Sequence, residues 1–181
     1  RYWRDWSSDV CSSDLVLIDF DRVESKNLLS QAFVKPSIGK NKAEALKLQL
    51  LNLHGVKAEA FGQRLAAENV ATLLQGADLA IDAFDNLKSR QLVSAYAREH
   101  ALPLVHAGIS GDGTFGLVRW EERFAPDAED HDGQATCETG EHLPLVGLLA
   151  AALARTVQDF LGAGVRRDSF VTLQGVSPVS T

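Results

Sequence analysis

Leu17-Ile18-Asp19-Phe20-Asp21 is an apolar run that ends in two acids. A strand of a parallel sheet is covered on both faces and is therefore apolar. Its carboxyl end opens into the crevice where ligands bind. An acid there can accept hydrogen bonds from ribose hydroxyls. Far downstream, Asp82-Ala83-Phe84-Asp85-Asn86 repeats the pattern of an apolar run closed by acids, and Lys42 lies between the two in sequence. Two strand-end acids with an intervening cation suggest a nucleoside triphosphate and its metal. Each residue also has a plainer reading. Asp19 and Asp21 could be strand-end acids facing water, Lys42 a surface lysine, and Asp85 the cap of the following helix. A cation at Lys42 opens a helix, where the helix dipole disfavours it unless it serves a purpose.

The motifs and their order resemble those of the E1-like superfamily, and within it the bacterial ThiF/MoeB/HesA enzymes, which adenylate the C-terminus of ubiquitin-like proteins. The family pattern is D-x-D, N-L-x-R-Q, G-x-x-K-A and D-x-x-D-N with a later arginine. This chain has Asp19-Phe20-Asp21, then Asn27-Leu28-Leu29-Ser30-Gln31, then Gly39-Lys40-Asn41-Lys42-Ala43, then Asp82-Ala83-Phe84-Asp85-Asn86 with Arg90. The resemblance runs from Leu15 to Leu161. It implies an adenylyltransferase that uses ATP and Mg2+, with a ubiquitin-like β-grasp carrier protein as partner and a homodimeric assembly. It also implies roles. Asp19, Asp21, Asn27, Gln31, Lys42, Asp85, Asn86 and Arg90 would bind the nucleotide. Lys42 would reach its phosphates, and Asp85 would hold the magnesium. Arg90 could equally fix its turn.

Three departures bear on this. Ser30 stands where the family has an arginine that resembles a phosphate clamp, and serine supplies neither the charge nor the forked donors. The family's structural zinc is held by two C-x-x-C pairs; this chain has no C-x-x-C, so no structural zinc is expected. Cys137, before Pro144-Leu145-Val146-Gly147, resembles the family's catalytic cysteine, which takes up the activated carboxyl or the sulfur. A thiolate is a competent nucleophile toward an acyl-adenylate, although carboxylates at Glu138 and Glu141 oppose thiolate formation. The alternative is an unreactive thiol. Asp130, His131, Asp132 and His142 are too irregularly spaced for a metal site and read as a solvated acidic loop. His106 reads as a satisfied strand-end histidine.

Residues 1–14, with Ser-Ser-Asp twice, are similar to the translation of a sequencing adapter and read as non-native. The expectation is a partial adenylation domain over residues 15–181, lacking the family's first strand, Gly-rich loop and first helix. Such a fragment would be inactive alone. The composition, 45% hydrophobic and 23% charged over 181 residues, is that of an ordinary globular domain. A net charge of −6 without a basic cluster argues against nucleic acid. The apolar run from Leu143 to Ala154 is about half a membrane span and reads as a buried helix. Of two cysteines, only Cys137 lies beyond the leader, which rules out a disulfide framework there and suits a cytoplasmic setting.

Positioning these residues requires an α/β fold. The pattern predicts a Rossmann-like, mostly parallel sheet with helices on both faces and antiparallel strands in the C-terminal part. Strands are predicted at Leu15–Asp19, Val56–Phe61, Ala77–Ala83, Leu102–Ala107, Thr114–Trp120 and Ser169–Leu173. Helices are predicted at Asn41–His54, Ala67–Leu74, Asn86–His100 and Pro144–Leu161, with one short turn around Asn27–Ala32. The stretch 121–141 reads as loop. Two other functional classes remain open: a nicotinamide-dependent Rossmann oxidoreductase, which would not need Lys42 or Asp85-Asn86, and a non-catalytic module that docks a carrier.

Overall fold

The computed structural model describes residues 15–124 and 140–179. The readings made for residues 1–14, for Cys137 and for Asp130 to Asp132 fall outside the described residues. The chain divides into two compact units, residues 1–65 and 66–181.

In the first unit, β1 (Val16–Ile18) pairs parallel with β2 (Glu59–Phe61), Val16 opposite Glu59 and Ile18 opposite Phe61. The connection carries α1 (Asn27–Ser30), a 3-10 turn at Lys35–Ser37 and α2 (Lys42–His54). Asn41 starts α2 by accepting a hydrogen bond from the Glu44 N–H at 3.1 Å, and thus satisfies a donor the helix cannot. Gly55 ends it at φ 68°, a left-handed conformation that glycine adopts without penalty. The helix packs across both strands. Its inner face is small, with Ala43 and Ala45 buried.

The second unit contains α3 (Val70–Leu74), β3 (Ala80–Asp82), α4 (Leu87–Glu99), β4 (Leu104–Ile109), β5 (Gly116–Trp120), α5 (Leu143–Ala163), β6 (Ser169–Thr172) and β7 (Gly175–Pro178). Its sheet runs β3-β4-β5-β6-β7. β3 and β4 are parallel, joined through α4; the other pairings are antiparallel. The return after Ser110 takes the expected antiparallel course, with Val105 opposite Trp120 and Ile109 opposite Gly116. Val105, Val118, Trp120 and Val171 point to one face and form the core with Leu145, Leu149 and Ala152 of α5. Leu104 and His106 alternate to the other face, where α4 lies, so helices cover both faces of this sheet.

The expectations need three corrections. Beyond Leu173, where no element is predicted, Gly175–Pro178 form β7, because Val176 and its neighbours pair along β6. The apolar run read as half a membrane span belongs to a 21-residue helix, α5, which by length and composition is apolar enough to cross a membrane. Polar Arg155, Gln158 and Asp159 interrupt its apolar reading without breaking the helix. Glu121, read as loop, is buried in a 3-10 turn, Glu121–Arg123, that closes β5. Beside it Asp168 receives the Trp120 N–H at 3.1 Å and a two-pronged pair of hydrogen bonds from Arg123 at 2.6 and 2.9 Å. These fasten the end of β5 to the start of β6.

The turn between β4 and β5 is organised by Asp112. Its carboxylate accepts from the Ser110 and Thr114 hydroxyls, at 2.6 and 2.8 Å, and from the Thr114 N–H at 3.1 Å. The Ser110 hydroxyl first, and then Thr114, hold the Asp112 carboxyl below the usual carboxylate range. A depressed carboxylate stabilises the fold fully above its unfolded pKa and loses that contribution as pH falls through its lower folded value. The Thr114 amide resonance should therefore titrate below the ordinary carboxylate range in acid. Asp112→Asn should abolish that step. A Thr114 midpoint in the ordinary range would contradict the assignment.

Candidate functional site

The first unit assembles two of the sequence motifs. Asp19 and Asp21 follow β1, and Lys42 opens α2. The Asp21 N–H donates to the Asp19 carboxylate at 2.8 Å, which curls the chain and turns Asp21 away. Asn41 then holds the curl from the other side. Its amide nitrogen donates to the Asp19 carbonyl at 2.8 Å and the Asp21 carbonyl at 3.1 Å. The Lys42 N–H donates to the same Asp21 carbonyl at 2.8 Å. The result brings the Lys42 ammonium to 3.2 Å from the Asp21 carboxylate. The lysine side chain is 16% exposed and the aspartate 46%, so the acid faces solvent with the cation set behind it. The aspartate offsets the unfavourable placement of a cation at a helix start.

Of the remaining first-unit candidates, Asn27 is buried and Gln31 half-buried. The Asn27 side-chain oxygen accepts from the Glu24 N–H at 2.8 Å, fastening the turn into α1. Gln31 ends α1 with its N–H on the Asn27 carbonyl at 2.8 Å. Ser30 is buried, and its hydroxyl has no hydrogen-bond partner among the described residues. The position where the family motif has arginine is thus an interior one here.

In the second unit, Asp82 ends β3 fully buried, and its carboxylate accepts from the Phe84 N–H at 2.8 Å. Arg90 donates through Nε to the Phe84 carbonyl at 2.7 Å and through Nη2 to the Ala107 carbonyl at 3.3 Å. Its guanidinium lies against Gly108, where an added Cβ would meet Nη2 at 3.1 Å. Of the two readings of Arg90, the structure supplies the contacts of the turn-fixing one. Asn86 caps α4 by accepting from the Ser89 N–H at 2.9 Å. The cap role read as the plainer alternative for Asp85 therefore falls to Asn86. Asp85 is left exposed, touched by the Asn86 side-chain amide at 3.4 Å. A lone exposed carboxylate fits magnesium, which keeps several waters and takes one or two carboxylates beside substrate phosphates. No cluster of three or more metal-ligating side chains occurs among the described residues.

Sequence reasoning missed Asn41 and underrated the row behind Asp82. His106 sits inside β4, 1% exposed, with Nδ1 at 2.6 Å from Asp82 and Nε2 in close contact with Glu121. It is the satisfied histidine of the sequence reading. Asn41 carried a usable signal, since asparagine immediately before an apolar-periodic segment marks a helix cap.

Asn41 has two separable roles. Asn41→Asp keeps the oxygen that caps α2 and loses the donor to Asp19 and Asp21. It should leave the helix intact while amide exchange at Asp21 and Lys42 accelerates. Asn41→Ala loses both roles and should also destabilise the fold by about 1 kcal/mol in urea unfolding. Equal exchange at Asp21 in wild type and Asn41→Asp would show that the loop does not depend on this side chain.

Comparison with known proteins bears on the whole arrangement. The chain is 34% identical over 98 residues to the SAMP-activating enzyme E1 of Haloferax volcanii, covering 53% of this chain and 36% of that protein. It is 36% identical over 95 residues to the sulfur carrier protein adenylyltransferase of Thermus thermophilus, covering 51% and 35%. It is 29% identical over 150 residues to the sulfur carrier protein ThiS adenylyltransferase of Escherichia coli, covering 77% and 59%. The chain thus spans roughly a third to three-fifths of the length of these relatives. In fold it is similar to the microcin C7 biosynthetic enzyme MccB in complex with N-formylated MccA, with a TM-score of 0.72 at 17% identity over 92% of this chain and 56% of that one. It is also similar to E. coli MccB with ATP, at TM-score 0.69 and 19% identity over 92% and 55%. The ThiF family model matches residues 12–167, and the chain belongs to the ThiF family.

Proposed function

We propose that this chain is the nucleotide-handling part of an ATP-dependent adenylyltransferase that activates the C-terminal carboxylate of a ubiquitin-like carrier protein. The observation that carries the proposal is the Asp21–Lys42 pair, an acid and a cation joined from two separate family motifs at the carboxyl end of β1. The names of the relatives support the substrate class, since they are adenylyltransferases of sulfur carrier proteins and an activator of SAMP proteins.

In this reading the Asp21 carboxylate accepts hydrogen bonds from the ribose hydroxyls. Lys42 offers its ammonium to the phosphates, a task for a compact point charge. Asp85 is the proposed magnesium ligand; the metal would neutralise phosphate charge as the α–β bond breaks. The carrier carboxylate attacks the α-phosphorus, the bond from that phosphorus to the β-phosphate bridging oxygen breaks, and pyrophosphate leaves. A mixed anhydride of carrier and AMP remains. Positioning and charge neutralisation are the enzyme's main contribution. Cys137 is the proposed acceptor of the acyl group or sulfur. A homodimer is also part of the proposal. The outward side of α5 presents Gly147, Ala150, Ala151 and Ala154, a small apolar patch bounded by exposed Arg155 and Gln158, which a second copy would cover. Ala151→Glu should then lower the sedimenting mass from dimer to monomer, and a monomeric wild type would refute the dimer.

Exchange of labelled pyrophosphate into ATP, in the longest uninterrupted product of this gene, tests the reaction. Lys42→Ala should reduce the exchange by about a hundredfold, the size seen when a charge-stabilising donor is lost. Asp21→Asn should chiefly raise KM for ATP. Exchange that is absent in the wild type, or untouched in Lys42→Ala, would exclude the proposed role.

A further inference from the structure

Three ionisable side chains stand in a row across the α4-facing side of the second unit's sheet, with almost no access to water. Asp82 is 0% exposed, His106 1% and Glu121 7%. They sit on the end of β3, the middle of β4 and the turn after β5. His106 Nδ1 lies 2.6 Å from Asp82 Oδ2, and Nε2 contacts Glu121 Oε2. Each nitrogen–oxygen contact needs one hydrogen, so the row holds two protons. Either an imidazolium lies between two carboxylates, or a neutral ring lies between a carboxylate and a carboxylic acid. Glu121 is held in turn by the Ser94 hydroxyl at 2.9 Å and by Arg98 at 2.5 Å. Phe124 stacks on the ring with centroids 3.8 Å apart. Arg90 stands 3.9 Å from Asp82.

The row ends on Asp82, which reaches Phe84, the residue before Asp85. Asp82 takes the Phe84 N–H, and Arg90 takes the Phe84 carbonyl, so both peptide groups of Phe84 are fixed. The cap at Asn86 fixes the chain on the other side. Asp85 has its backbone clamped from both directions while its carboxylate remains exposed. One Asp82 oxygen takes the Phe84 N–H while the other meets His106 Nδ1, and the far nitrogen of the same ring meets Glu121.

We infer that His106 and Glu121 are positioning residues for Asp85, acting through Asp82 and the Phe84 peptide groups. This rests on the proposed role of Asp85 at the nucleotide. Neither residue touches the reacting atoms. Their contribution is to set where the Asp85 carboxylate stands before magnesium and ATP arrive, so that no loop ordering remains to be done on binding.

Two substitutions separate this from ordinary core packing. In His106→Asn the amide nitrogen replaces Nδ1 and keeps the bond to Asp82. In His106→Gln the amide nitrogen replaces Nε2 and keeps the bond to Glu121. Both remove the ring, so the loss of its stacking on Phe124 is common to the two. Amide hydrogen exchange on this chain is expected to be about tenfold faster at Phe84 and Asp85 in His106→Gln, the loss of one charge-assisted hydrogen bond, and to accelerate clearly less in His106→Asn, which keeps the Asp82 bond and loses only the Glu121 contact. In pyrophosphate exchange by the uninterrupted product, KM for Mg·ATP should rise by a similar factor in the Gln variant alone. Equal behaviour of the two variants would overturn the inference. If both fail to fold, Glu121→Gln serves: faster exchange at Phe84 supports the positioning role, and unchanged exchange overturns it. Asp85→Ala separates the two layers. If it leaves Mg·ATP turnover intact, the assigned role of Asp85 is wrong. If it abolishes turnover while His106→Gln leaves KM and loop exchange unchanged, the positioning role is wrong.

Discussion

A buried charge must be paired or it unfolds its surroundings, and the second unit is built around that constraint. Desolvating a carboxylate without a partner costs several kcal/mol, and the α4-facing side of the sheet buries Asp82 and Glu121 on either side of His106. Their compensation is supplied from two elements: the imidazole from β4, and Arg90, Ser94 and Arg98 from α4. Helix α4 and the β3–β4–β5 register are therefore tied to one electrostatic arrangement. The register places Asp82 directly opposite His106; a slip of one residue would put the two side chains on opposite faces of the sheet. An aliphatic core of the same volume would be as stable or more so. What it would not do is fix the Phe84 peptide groups.

The first unit solves a similar problem with neutral groups. Asn41 fastens the loop after β1 to the start of α2, joining two stretches some twenty residues apart through three hydrogen bonds of one side chain. Gly62 packs against that side chain, where an added Cβ would stand 2.9 Å from the amide carbon. In each unit a residue outside the expected ligand set helps to hold the residues that resemble nucleotide ligands. Asp21 and Lys42 are held by Asn41, and the backbone before Asp85 by Asp82.

Local signals in the sequence were the reliable ones. The apolar run before Asp19, the helix stopped by Gly55, the helix after Asn86 and the strand before Trp120 all appear within a few residues of their predicted positions, because propensity and capping act over short distances. The family motifs were legible for the same reason. What escaped depended on pairing at a distance. β7 has no strong pattern of its own and exists because β6 offers an edge. Glu121 reads as one more acid in an acidic stretch, and only the fold brings His106 and Ser94 to it. Helix α5 was legible nearly to its ends, predicted over Pro144–Leu161 and found at Leu143–Ala163, with Arg155 and Asp159 pairing at 2.8 Å across one helical turn.

The central claim is that this chain serves carboxylate adenylation, and the product of the reaction tests it most directly. The uninterrupted gene product would be incubated with ATP, magnesium and a β-grasp carrier, with hydroxylamine present to intercept an activated carboxyl. The account predicts a carrier hydroxamate formed together with equal amounts of AMP and pyrophosphate, all lost in Lys42→Ala. Release of ADP and inorganic phosphate, or nucleotide turnover without hydroxamate on the carrier, would contradict it.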